Sequence, residues 1–546
     1  MRKTSRRKRS KTPCLGKVAS GAMTFRSAGL SSGLTRCRQS VYGLVVVLLL
    51  LCDFSLSEEP GQIELSLVPY PQQIEIQEGI FLPKEKILLT YEEEQESIDQ
   101  IARTCIQDLA DVGFSVVDGK NNSTAQASIV RLTLQDDHSL AEEGYRLKID
   151  SKVTITAATE DGLFWGTRTL LQLFEHGPEK AVPQLSIMDY PAFGYRGLLI
   201  DNARHFHTLS FHIATIKRLA SLKMNRYQIH FSDHQSYTLP STAFPNLPTP
   251  DRHYTVEQIE QLVAAAQRYH VMIVPEIDVP GHSKALCSAL RQFACSTIPA
   301  NEIPRKLCIG KESTYELLET LFTEVMEMIP GAYWHLGADE VQYERTRCAD
   351  CRARMKEEGF RKGYELYHYF INRMHGIVKK NGRQMFVWEG FDPTRTPRID
   401  KDIVVFPFDV YHEKHMPKDY FKAGYTLLNT AWTPLYVADY IYMTTPEMIA
   451  RWTPFMFGPG RSPRAFTYWK KFDPETYKDK IMGAQVCSWN NEEKAENGLL
   501  FGTGPGFHNY GRPAPRVQIV AERVWTGSST PSKLLLERVG ASYWKH

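Results

Sequence analysis

From Tyr195 onward one pattern recurs along the chain. A short, nearly continuous apolar run ends in polar residues, and most such runs are followed by a longer segment with apolar residues three and four apart. The runs are YRGLLID (195–201), RYQIHFSD (226–233), VMIVPEID (271–278), YWHLGAD (333–339), MFVWEG (385–390), IVVFPFD (403–409), YTLLNTAW (425–432) and MGAQVCSW (482–489). Runs this short and this apolar read as strands buried on both faces, as in a parallel sheet. Residues 208–223, 256–269, 313–329 and 364–380 carry the helical period between them. Eight βα-type units in series predict a (β/α)8 barrel over residues 190–546, with its chemistry at the C-terminal ends of the strands.

Residues 62–185 follow another rhythm. YRLKID (145–150) and VTITA (153–157) alternate with period two, and GLFWGTRTLLQL (162–173) then turns helical. This predicts a smaller α+β domain ahead of the barrel, without a catalytic constellation of its own. Between the seventh and eighth barrel strands lies a long aromatic, Pro- and Gly-rich stretch (451–472). A loop of that length on a barrel rim is expected to serve the site or an oligomer contact such as a homodimer.

At 546 residues, 42% of them hydrophobic, the chain is long enough for both domains. Its small positive net charge is misleading. The first forty residues hold eleven Lys or Arg and no acid, leaving 54 basic against 62 acidic side chains beyond them, so no basic stripe favours a nucleic acid. That basic segment and the apolar VYGLVVVLLLLC (41–52) make residues 1–57 a leader, best read as a secretory signal too short to span a membrane comfortably. An uncleaved N-terminal anchor is the second reading, and lipoprotein processing at Cys52 the third. Export to an extracellular, periplasmic or lysosome-like compartment follows. Asn121-Asn122-Ser123-Thr124 holds two overlapping glycosylation sequons.

Seven cysteines follow the leader: Cys105, Cys287, Cys295, Cys308, Cys348, Cys351 and Cys487. Cys287, Cys295 and Cys308 are close enough in sequence for one local disulfide, and Cys348 and Cys351 for another. Cys348-x-x-Cys351 also has the spacing of half a zinc site, but no second pair matches it, so the sequence does not favour a metal.

The strand ends are acidic and aromatic. They carry Asp201, with Arg196 within the same first strand, then Asp233 and His234, then Glu276, Asp278 and His282, then Asp339 and Glu340, then Trp388 and Glu389, with Trp432, Tyr436 and Trp489 on the last strands. Indole faces stack on the apolar faces of sugar rings, while carboxylates and arginine fix the direction of the hydroxyls. Any one of these tryptophans would by itself read as core packing. Glycoside cleavage needs a proton donor and an anionic group, and Asp339 with Glu340 supply two carboxylates. Adjacent Cα atoms are only about 3.8 Å apart, an awkward spacing for an acid and a nucleophile on opposite faces of a sugar. A substrate that supplies its own nucleophile removes that difficulty.

At this point the chain resembles the β-N-acetylhexosaminidases of glycoside hydrolase family 20, over roughly residues 62–530. The resemblance rests on RGLLIDNARH (196–205), VPEIDVPGH (274–282), HLGADE (335–340), AERVW (521–525), and the preceding EGYRL (143–147) and TLLQL (169–173). It implies that Glu340 is the general acid/base and that Asp339 orients the substrate's 2-acetamido group, whose oxygen attacks the anomeric carbon. Arg196 would bind sugar hydroxyls, Tyr436 the acetamido group, and Trp388, Trp432 and Trp489 would line the pocket. Asp233, Asp278, His282 and His335 would support Glu340. No cofactor or metal is implied, and the partner would be a glycan ending in β-linked N-acetylglucosamine or N-acetylgalactosamine.

Departures stand beside the match. His234 occupies a position where the family commonly has a second Asp, Ala338 one where Gly is usual, and Ala438 and Asn491 positions where many members read the 4- and 6-hydroxyls with acids. These motivate one alternative, a sugar-binding relative impaired in turnover. His205-Phe206-His207 motivates another, a metal-dependent barrel amidohydrolase, although such a site also needs histidines at later strand ends.

Overall fold

The computed structural model describes residues 65–91, 96–119, 126–297, 299, 301–409, 416–438, 446–458, 469–489, 508–509, 512–513, 516–527 and 531–543. The leader, the sequons at 121–124 and Asn491 lie outside these, and the 451–472 stretch is described only at its ends.

Seven strands build the first sheet: β1 (Gln73–Phe81), β2 (Lys86–Thr90), β3 (Ser115–Asp118), β4 (Ser128–Leu134), β5 (Tyr145–Ile149), β6 (Val153–Ala157) and β7 (Val182–Asp189), in the order β1-β7-β5-β6-β4-β2-β3. β5 and β6 alternate strictly between buried and more exposed positions, so one face is driven inward. Against it packs α1 (Glu160–His176), whose N-cap Thr159 accepts a hydrogen bond from the Gly162 N–H.

The predicted barrel closes. Its strands are β8 (Tyr195–Asp201), β9 (Arg226–Ser232), β10 (Met272–Ile277), β11 (Tyr333–His335), β12 (Gln384–Trp388), β13 (Val404–Phe406), β14 (Leu427–Asn429) and β15 (Ile481–Ser488). Each is parallel to the next, and β15 returns to pair with β8. Every run identified from its apolar residues overlaps one of these strands. Helices α2 (Leu209–Ser221), α3 (Val256–Arg268), α4 (Glu312–Met328) and α5 (Gly363–Lys380) follow the first four strands. Thr208 caps α2, and a Thr255/Gln258 capping box starts α3. The connection from β12 to β13 forms no helix, a departure from the regular repeat. Tyr195, Leu199, Val274, Phe386, Phe406 and Leu428 fill the barrel as a packed core.

The floor of the barrel is fastened to the first sheet by buried charges. Lys223 Nζ lies 2.7 Å from Asp189 Oδ2, which also accepts from the Tyr145 hydroxyl at 2.6 Å, while Trp525 Nε1 donates to Asp189 Oδ1 at 2.8 Å. Beside this hub stands Arg196, and here the structure corrects the sequence reading. Arg196 sits one residue into β8, at the N-terminal end, fully buried and far from the strand ends that carry chemistry. Its guanidinium binds Glu143 at 2.5 and 3.0 Å and donates to the carbonyls of Phe193 and Lys223. Arg196 therefore joins the domains and does not face a sugar pocket.

Removing one member of a buried pair strands the other's charge. Arg196→Met is expected to cost about 3–5 kcal/mol of unfolding free energy, whereas the double change with Glu143→Gln should cost less than the sum of the singles. Urea denaturation of the four proteins in the cycle checks this.

Candidate functional site

The parallel register sets Glu276 beside His335, so the chains leaving β10 and β11 run side by side at the barrel mouth. Val279 N–H donates to Leu336 O at 3.1 Å, Ala338 N–H to Asp278 Oδ1 at 3.1 Å, and Trp388 N–H to Gly337 O at 3.0 Å. The Tyr367 hydroxyl closes on Ala338 O. Held this way, Gly337, Ala338 and Glu340 take φ of 73°, 75° and 49°. At Gly337 only glycine fits, because a Cβ would lie 2.1 Å from Asp278 Oδ1.

The left-handed turns send the two adjacent acids to different surroundings. Glu340 is 64% exposed, and its Oε2 lies 3.4 Å from His282 Nε2. Asp339 Oδ1 is sealed from solvent with no hydrogen-bond partner among the described residues. His282 Nδ1 in turn lies 3.1 Å from Asp233 Oδ2, so one imidazole spans Asp233 and Glu340. Burial raises the Asp278 carboxyl far above its usual range, and the Asp339 charge adds to the rise. Burial raises Asp339 as well, with His282 drawing it back and Glu340 and Glu276 pushing it further up. His282 itself is penalised by burial, yet Asp278, Asp233, Glu340 and Asp339 outweigh that and push it up to about 12, keeping it an imidazolium.

Below the mouth a polar file runs into the barrel. Glu276 receives Trp388 Nε1 at 2.7 Å and Gln228 Nε2 at 2.8 Å, and it faces His230 Nδ1 at 3.1 Å and His335 Nδ1 at 3.3 Å. His230 Nε2 continues to Asp233 at 3.1 Å. Burial alone would raise Glu276 and Asp233, but the surrounding histidines, with Arg204 at Asp233, hold both well below the carboxylate range.

Aromatic rings form the opposite wall. Trp432 stacks on Tyr436 at 5.2 Å, Tyr436 on Phe408 at 6.1 Å, and Trp489 stands 5.6 Å from Trp388 and 6.1 Å from Tyr436. The Asp339 charge is among those felt by the Tyr436 hydroxyl, which burial keeps protonated. Of the residues singled out from the sequence, Asp339, Glu340, Asp233, Asp278, His282, Trp388, Trp432, Tyr436 and Trp489 converge at or just below this mouth. His335 lies one step deeper, on Glu276. Ala438 is buried beside the wall, and His234 stacks on His282 at 5.0 Å without displacing it from Asp233. His207 is buried against Phe211 at 4.7 Å, away from the mouth.

Two family models match the chain: glycosyl hydrolase family 20, catalytic domain, over residues 193–528, and domain 2 of the same family over residues 64–190. The chain belongs to glycosyl hydrolase family 20.

Relatives in this family of glycoside hydrolases include a beta-hexosaminidase of Porphyromonas gingivalis, 28% identical over 60% of this chain and 45% of that protein. Another is a beta-hexosaminidase of Vibrio furnissii, 26% identical over 79% of this chain and 74% of its own length. The chain thus spans less than half of the first relative. Among solved structures the fold is similar to that of a Flavobacterium johnsoniae chitobiase, with a TM-score of 0.70, 24% identity, and coverage of 89% and 73% of the two chains.

Four contributors to the family 20 site escaped the sequence reading. Arg204, quoted there without a role, is the arginine at the mouth: it pairs with Asp201 at 2.7 Å and Asp233 at 2.5 Å and sits 5.3 Å from the Trp489 ring centre. Three residues past the end of β8, it is better placed than Arg196 to meet a ligand. Gln228 and His230 carry a readable signal, since polar residues two apart in an apolar strand face the same side. Tyr367 comes from a helix whose sequence gives no such hint.

The two left-handed neighbours should respond oppositely to substitution. Gly337→Ala is expected to cost about 2–4 kcal/mol through clash and backbone strain, whereas Ala338→Gly should leave stability unchanged or raise it by up to about 1 kcal/mol. Chemical denaturation midpoints compare them directly.

Proposed function

We propose that this protein is an exo-acting β-N-acetylhexosaminidase that removes terminal β-linked N-acetylglucosamine or N-acetylgalactosamine with retention, the substrate's acetamide serving as nucleophile. The observation that carries the reading is the split environment of the two adjacent acids, Asp339 half-buried with one unpartnered oxygen and Glu340 open and held by His282. A buried carboxylate oxygen without a donor is costly in the empty protein, and a secondary amide N–H is the donor an N-acetyl sugar brings.

In this scheme the sugar lies against Trp489 and Trp432, with Arg204 donating to its hydroxyls and Tyr436 donating to the acetamide carbonyl region. Asp339 accepts the amide N–H, which aims the carbonyl oxygen at the anomeric carbon and offsets the positive charge that grows on the amide. Glu340 gives its proton to the glycosidic oxygen. The anomeric C–O bond breaks as the carbonyl oxygen bonds to that carbon, giving an oxazolinium ion. The imidazolium of His282 supports the Glu340 carboxylate so formed, which then takes a proton from water. The water attacks the anomeric carbon, the ring opens and the acetamide is restored.

The binding-only alternative drew on His234, Ala438 and Asn491. His234 leaves the Asp233–His282 contact in place at 3.1 Å, which favours turnover. Ala438 offers no polar group to a sugar, which supports a tolerance for either configuration at the 4-hydroxyl. With the leader, the reading is of an exported enzyme acting on glycoconjugates.

A 4-nitrophenyl N-acetyl-β-glucosaminide should be cleaved at least about 1,000-fold faster than the plain β-glucoside, since an internal nucleophile is replaced by bulk water in the latter. Equal rates on both would refute the reading. Glu340→Gln should lower kcat about 100- to 10,000-fold on a disaccharide and far less on an aryl glycoside with a good leaving group. The acid limb of kcat/KM should lie above the ordinary aspartate value of 3.8, because Asp339 must be ionised to act and its raised pKa makes it protonate at higher pH as the solution is acidified.

A further inference from the structure

Away from the barrel mouth, four cysteines that no spacing rule joins come together. Cys295 and Cys308 lie in the loop between β10 and α4. Cys348 is the N-cap of a short helix, α6 (Ala349–Glu357), and Cys351 lies in its first turn. All four are buried and carry free thiols. Cys308 Sγ is 3.6 Å from Cys348 Sγ and 3.7 Å from Cys351 Sγ, Cys295 Sγ is 3.9 Å from Cys351 Sγ, and all four sulfurs lie within 4.8 Å of one another.

A disulfide needs a separation of about 2.05 Å, and these sulfurs are far beyond it. A tetrahedral zinc ion with Zn–S bonds of about 2.3 Å places its ligands about 3.8 Å apart. The observed spacings bracket that value. Four thiols gathered at one point are a poor way to fill a core, since an apolar side chain of similar volume packs as well and carries no exchangeable proton. As a ligand set they are complete.

The surrounding backbone fits thiolates. The Gly310 N–H donates to the Cys308 sulfur two residues before it. A Cβ at Gly310 would lie 2.4 Å from Cys351 N, so only glycine lets this turn close on the α6 terminus. Cys348 and Cys351 lie at the N-terminal, positive end of the α6 dipole, which favours thiolates. The remaining polar neighbours of Cys348 are the Ser296 hydroxyl and Asp350 Oδ2, each 3.8 Å from its sulfur.

We propose that Cys295, Cys308, Cys348 and Cys351 form a structural zinc site that staples the loop after β10 to the loop after β11. Those loops carry His282 and Glu340, and they already touch between the site and the cysteines: the Tyr343 hydroxyl donates to Leu307 O at 2.8 Å and Lys306 Nζ to Gln342 O at 2.7 Å, while Leu307 N–H ties its own loop back to Pro280 O at 2.9 Å. A closed shell of four thiolates leaves no open position for substrate, so the ion's role is to hold the loops in register. The assignment does not depend on the sugar chemistry proposed above.

Elemental analysis of the full chain, purified without chelator, should find one zinc per molecule. A mercurial thiol reagent should release it as four thiols react, and cobalt replacement should give the absorption of tetrahedral thiolate coordination. Cys308→Ser should lower zinc content at least tenfold and reduce the thermal midpoint. Should that variant fail to fold, chelation of the unaltered protein replaces it: the midpoint should fall and return with one equivalent of zinc. Two disulfides among these four residues, stoichiometric iron, or metal-free protein whose midpoint ignores both chelator and zinc would overturn the proposal.

Discussion

One buried carboxylate organises the chemistry of this protein. Glu276 stands inside the barrel with no access to water, and an unpaired charge there would cost several kcal/mol. Its partners come from the neighbouring strands: Gln228 and His230 from β9, His335 from β11 and Trp388 from β12. Satisfying that charge fixes the order and rotation of four strands at the level just beneath the mouth. His230 then passes the constraint to Asp233, Asp233 to His282, and His282 to Glu340. An exposed acid on a loop is thereby tied to the rigid interior through ionic hydrogen bonds, which are stronger and more directional than neutral ones.

The two ends of the barrel divide the work. At the floor, Lys223 with Asp189 and Arg196 with Glu143 bury complementary charges between the sheets, where they fix one docking geometry. At the mouth, charges of the same kinds stay within reach of a further partner. Asp339 keeps an oxygen without a donor and Glu340 remains open to solvent. Charges closed off below and carboxylates open to a further partner above match the polarity of a (β/α)8 barrel, whose ligands are met at the C-terminal ends of the strands.

The strands were legible because burial on both faces demands uninterrupted apolar residues, and each of the eight runs, from YRGLLID to MGAQVCSW, overlaps an observed strand. The acids at 339 and 340 were legible because they end such a run. Arg196 and Arg204 show where this reading stops. Both flank the same strand, and motif likeness alone does not say which end faces the mouth, whereas strand direction does: Arg196 enters β8 and Arg204 leaves it. The cysteine cluster was invisible for a different reason. Its four members come from two loops whose proximity is set by the pairing of β10 with β11, and the expected local disulfides gave way to a grouping across those loops.

The backbone at residues 337–340 explains why two neighbouring acids are not redundant. In an extended strand, adjacent side chains point to opposite faces, one into the core and one outward, and neither would reach a common ligand. Positive φ at Gly337, Ala338 and Glu340 bends the chain so that a half-buried and an exposed carboxylate can address the same small volume. Each non-glycine residue held there costs about 1–2 kcal/mol. Asp278 and Tyr367 hold the backbone groups of Ala338, and Trp388 holds the Gly337 carbonyl, so the cost is met within the neighbouring loops and strand. The usual glycine at 338 would remove part of that strain. Alanine keeps it, which is tolerable only because the turn is fixed from three sides.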